Sequence, residues 1–94
     1  MTLKEFRASL SSNSPPRGAS PLLEALWHDA KGDWHHAHSL AQAIGGRNGA
    51  WVHAYLHRKE GDLSNAGYWY SKAGRRQALG GLEAEWEDLV RALL

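Results

Sequence analysis

The sequence predicts an all-α fold: two tandem helical hairpins and a C-terminal capping helix, preceded by a short N-terminal helix or arm. Three observations predict it. Helix-length stretches end at glycines, and most of them start at Ser, Asp or Asn. No stretch shows the alternation of apolar and polar residues that a half-buried strand requires. The chain also resembles itself when shifted by 29 residues, which lays Ala25-Leu26-Trp27-His28 over Ala54-Tyr55-Leu56-His57 and Gly32-Asp33 over Gly61-Asp62. Ala37 then falls on Ala66, and Gly45 on Gly74.

Each element has a local reason. Thr2 with Glu5 is a capping-box pattern, and Leu3, Phe6 and Leu10 form one face of a short helix. Ser11–Ser20 is rich in Ser, Pro and Gly, and Pro15-Pro16 forbids helix, so residues 1–20 read as an arm or linker and 21–94 as the helical domain. Ser20-Pro21 then starts a helix expected over Pro21–Lys31 and stopped by Gly32. Asp33 caps a second over Trp34–Ile44, ended by Gly45-Gly46. Asn48 is expected to cap a third over Gly49–Glu60, and Asp62 a fourth over Leu63–Ala73, with Gly61 and Gly74 as stops. The last helix is expected over Leu82–Leu94.

Periodicity assigns the faces. Leu63, Ala66, Tyr70 and Ala73 should meet Ala50, Ala54 and His57, and Trp34, Ala37, Ala41 and Ile44 should meet Leu22, Ala25 and His28. Leu82, Trp86, Leu89 and Leu93 form a stripe, with Val90 at its edge, that should close the end of the second hairpin, and Tyr68 and Trp69 should pack on that last helix.

The segments KGDWHHAHSLAQA and EGDLSNAGYWYSKA resemble the turn and second helix of tetratricopeptide repeats, in which an aromatic or Leu follows Gly-Asp and a small Ala follows three places later. The resemblance spans about Leu22–Gly74. It departs in a period of 29 rather than about 34, in the absence of a closing Pro, and in His28 and His57 where that family commonly has Tyr. The stretch WVHAYLHRKEGDLSNAGYWY also resembles small bacterial helical proteins, a likeness that brings no mechanism. The repeat resemblance implies a protein or peptide bound in an inner groove, here Leu26, Asp29, Trp51, Tyr55, Arg58 and Lys59, with the basic side chains clamping a carboxylate.

Composition narrows the functions. With 94 residues there is room for one domain, and 11 basic against 10 acidic side chains do not point to nucleic acid or an anionic membrane. No Cys means no disulfide and no thiolate chemistry. Lacking an apolar leader or a run of about 20 apolar residues, the chain is expected in the cytoplasm. No phosphate-binding glycine loop or nucleophile elbow is present, and no cofactor is expected. Tyr68-Trp69-Tyr70 with Lys72, Arg75 and Arg76 interleaves aromatics and bases as a base-stacking site would, but consecutive helical residues point in different directions.

The six histidines are the remaining chemical candidates. His53 and His57 stand four apart, a spacing that brings two imidazoles to one metal, but Ala54 occupies the place of a zinc hydrolase's carboxylate. The preferred reading makes His28 and His57 core residues donating a hydrogen bond across each hairpin, with His35, His36 and His38 on a solvated face. The expectation is therefore a non-enzymatic module that binds a protein, a peptide or a second copy of itself, with metal binding at His53 and His57 as the alternative.

Overall fold

A computed structural model describes all residues, Met1–Leu94, and is entirely helical. Helix α1 (Leu3–Ala8) continues into a 3-10 turn at Ser9–Ser11; α2 (Pro21–Ala30), α3 (Trp34–Gln42), α4 (Gly46–Lys59), α5 (Leu63–Ala73) and α6 (Leu82–Leu93) follow. The α2–α3 and α4–α5 neighbours pack most extensively, α3 lies against α4, and α6 crosses α2 and α4. No helix is long and apolar enough to cross a membrane.

Both helix pairs are built on the same turn. Gly32 and Gly61 take φ of +89° and +88°, a left-handed conformation that costs a residue with a Cβ but not glycine. The next residue caps the following helix: Asp33 accepts from the His36 amide at 3.2 Å and Asp62 from the Asn65 amide at 3.3 Å. Ala37 and Ala66, fully buried, stand where the paired backbones come close.

Helix α4 departs from expectation. It begins at Gly46, with Gly45 as a cap lacking a side-chain bond, so Asn48 lies in the first turn and caps nothing. Helix α3 correspondingly stops at Gln42, short of Ile44. Gly49 explains this tight passage, because a Cβ there would overlap the Ile44 carbonyl. Two expected faces also shift. Leu63 is exposed, and the buried stripe of α6 is Glu85, Trp86, Leu89 and Val90, leaving Leu82 largely outside and Leu93 at the margin.

The N-terminal segment shares the core. Phe6 is fully buried against Trp86, 5.9 Å between rings, and the capping box of Thr2 and Glu5 is formed. Arg7 bonds Glu83 and Glu87 of α6, and Lys31 Nζ donates to the carbonyls of Leu10 and Ser12. Trp86 sits at the centre, donating its indole N–H to the Leu26 carbonyl at 3.0 Å. Trp86→Ala should therefore cost about 3–5 kcal/mol, measured as a fall in the urea midpoint; a loss below about 1 kcal/mol would mean α6 does not seal the core.

Candidate functional site

The six residues expected to line an open groove lie mostly beneath α6. Leu26, Asp29, Trp51 and Tyr55 are buried, Arg58 is nearly so, and Lys59 reaches the surface. The face of α2 and α4 that would receive a peptide is thus covered by the chain's own last helix.

Two carboxylates organise this interior. Asp29 accepts from the Tyr55 hydroxyl at 3.1 Å and from Lys59 Nζ at 2.9 Å. Glu85 accepts from Arg58 at 2.8 Å, from the Trp51 indole at 3.2 Å and from the Tyr70 hydroxyl at 2.6 Å. Arg58 also donates to the Gly80 carbonyl, and the Arg75 guanidinium lies 3.3 Å above the Trp51 ring. Burial, reinforced by the neighbouring carboxylates, pushes both phenols well above their usual range, so Tyr55 and Tyr70 stay protonated as donors. No buried side-chain polar atom lacks a partner. The Glu85–Arg58 pair joins α6 to α4, and the Asp29–Lys59 pair joins α2 to α4, so both carboxylates are used in holding helices together. A cleft of about 410 Å³ remains beside Asp29, Tyr55 and Lys59, but its other charges, Arg7 and Glu83, are paired with each other.

The second assembly is a knot of imidazoles between α3 and α4. His53 and His57, one turn apart on α4, face His38 of α3, and the ligating nitrogens of all three lie within 4.8 Å of one another. His38 Nε2 and His53 Nε2 are 2.9 Å apart, so one donates to the other. Indoles wall the knot: Trp69 stacks on His53 at 4.0 Å and Trp34 on His38 at 4.9 Å.

Burial disfavours the charged form of two of these rings. Burial, then the neighbouring His38 and His57, lowers the pKa of His53 to about 4. Burial, then His57, lowers that of His38 as well. At His57, Nδ1 lies 2.6 Å from Glu60 Oε1 and Nε2 lies 3.4 Å from the Asn65 side-chain amide. This network assigns the proton to Nδ1, donated to the carboxylate, and leaves the Nε2 lone pair free to accept. A carboxylate behind a histidine is the usual means of orienting a metal ligand and raising its basicity.

Several expectations are thereby corrected. His57 accepts across its helix pair instead of donating, because Glu60 takes its proton. His28 makes no crossing bond and stacks on His36 at 3.8 Å. His38 is not on a solvated face, and Trp69 packs on α4, not on α6. Spacing pairs His38 with His35, three residues before it, whereas the partners it meets, His53 and His57, are fifteen and nineteen residues away. Its one local signal is Trp34, which stands four residues earlier on the same face and covers its ring.

All-helical architecture and an interhelical imidazole cluster define the class that geometry describes. No family model matches the chain, and neither does a curated protein or a solved structure.

Two outcomes are expected. Glu85→Ala strands the Arg58 charge under α6 and should cost about 3–5 kcal/mol in urea unfolding; a neutral result would make the Glu85 network dispensable. The second concerns pH. The His53 pKa is lower folded than unfolded, so its contribution is complete above about 6.5 and is lost as pH falls toward 4. Stability should drop by about 3 kcal/mol over that range, and His53→Gln should flatten the curve; parallel curves for both proteins would contradict the assignment.

Proposed function

We propose that this chain is a non-enzymatic helical module that binds a divalent transition-metal ion through Nε2 of His38, His53 and His57. The observation carrying the reading is the convergence of three imidazoles, from two helices, with a carboxylate behind one of them. Imidazole donors suit Zn²⁺, Cu²⁺, Ni²⁺ or Co²⁺ and not the oxygen-seeking Ca²⁺ or Mg²⁺. The lowered pKa values of His38 and His53 reduce the competition of protons with an ion at those rings. Metal–nitrogen bonds of about 2.0–2.1 Å require His38 and His53 to part from their 2.9 Å hydrogen bond, the donor ring to carry its proton on Nδ1 instead of Nε2, and Asn65 to release His57 Nε2. His53 and His57 thus enter as ligands, with His38 added. A cytoplasmic location and no nucleic-acid partner complete the reading.

The tetratricopeptide-like character belongs to the same proposal. What supports it is the twice-used Gly-Asp turn with buried alanines behind it. Association with a protein, a peptide or a second copy is the second reading. It is favoured by apolar side chains outside the core, with Leu79 98% exposed on the loop before α6 and Leu63 and Tyr68 exposed on α5. The six groove residues would then support that surface from below rather than touch the partner.

Equilibrium dialysis of untagged protein against Zn²⁺, followed by elemental analysis, tests the metal reading. Wild type should retain zinc, and His53→Gln should bind one equivalent fewer while keeping its helical circular dichroism. Identical uptake by the two proteins would overturn it. Monomeric light scattering at high concentration would count against self-association.

A further inference from the structure

We propose a second metal site, independent of the three-imidazole centre: the turn between α2 and α3 takes a divalent transition-metal ion on His28, Asp33 and His36.

The turn brings the three side chains together. Gly32, at φ +89°, folds the last turn of α2 back against the first turn of α3, so that His28 and His36 lie face to face with ring centroids 3.8 Å apart. Asp33, between them in sequence, uses only one oxygen in its cap, Oδ1 accepting from the His36 amide. Oδ2 is left pointing at His36 Nδ1 across 3.8 Å. That gap exceeds a hydrogen bond but can be spanned by one ion, since two bonds of about 2.0–2.2 Å place ligand atoms up to roughly 4.2 Å apart. The ligating atoms of all three side chains lie within 4.8 Å of one another. His36 and Asp33 are exposed, so His36 is free to turn out of the stack and bring its in-plane lone pair onto the ion beside those of His28 and Asp33.

Surrounding charge favours a cation. Glu24, one turn before His28 on α2, adds a second carboxylate to the local field. The nearest lysine in sequence, Lys31, is turned away, held by the carbonyls of Leu10 and Ser12. The other Gly-Asp turn is a natural comparison. His57 and Asp62 repeat His28 and Asp33, but Asn65 stands where His36 would be, and His57 is committed to Glu60 and to the imidazole cluster. Only the first turn holds two imidazoles and a free carboxylate oxygen.

The two sites also differ in kind. The interhelical centre is buried and purely imidazole, whereas the turn site is exposed and includes a carboxylate, so its ion should exchange readily with solvent. Equilibrium dialysis of untagged protein against Ni²⁺ alone, with elemental analysis, separates them. Wild type should bind two ions per chain, and His36→Gln and Asp33→Asn should each bind one. Asn preserves the helix cap, so the latter change removes a charge without unfolding the turn. His53→Gln should lose the other ion. Wild-type uptake in His36→Gln would overturn the turn site. If that variant binds as wild type while His53→Gln loses the only ion, the turn site is wrong and the three-imidazole centre stands; if wild type binds none, both are wrong.

Discussion

The Gly-Asp turn is the constraint on which the rest of the molecule depends. At Gly32 and again at Gly61 the chain reverses within three residues, through a left-handed glycine followed by an aspartate cap. So short a connection leaves the paired helices no freedom to drift apart, and Ala37 and Ala66 let their backbones close. The chemistry inherits this geometry. A histidine in the last turn of the first helix of each pair, His28 or His57, must lie beside the start of the next helix, where it meets His36 in one case and Asn65 in the other.

The two pairs meet where α3 lies against α4, and α6 packs across α2 and α4, its seat on the second pair fixed by a charged group. Glu85 occupies a buried place in an otherwise apolar stripe and draws donors from α4 and α5. A buried carboxylate contributes little net stability beyond an apolar replacement, but it accepts only one placement of its partners, so it specifies how α6 sits. The same placement closes over the residues that an isolated repeat would present to a peptide. Asp29 and Lys59 remain at the edge of that contact as an internal ion pair, not as a clamp for an outside carboxylate.

Local signals were the legible part of this chain. The glycine stops, the Asp33 and Asp62 caps, the bounds of α5 and the buried alanines follow from backbone conformation and spacing, which a sequence displays directly. The Asn48 cap failed because the helix starts two residues earlier, at Gly46, where the chain turns so tightly that the Ile44 carbonyl lies against Gly49. Glu85 looked like one of several acidic residues on α6; only the packing of Arg58, Trp51 and Tyr70 makes burial tolerable there. Two of the three imidazoles were visible as His53 and His57 on one helical face. His38 was not, because no period relates it to them and its meeting with His53 depends on how α3 crosses α4.

The central claim is that these interhelical imidazoles form a metal centre. X-ray absorption of the His36→Gln protein loaded with one equivalent of Zn²⁺ tests it most directly, since that change leaves the buried cluster intact. The account predicts a first shell containing three imidazole nitrogens at about 2.0–2.1 Å, with the outer-ring scattering of histidine. A shell of oxygens alone, or zinc removed by simple gel filtration, would contradict it.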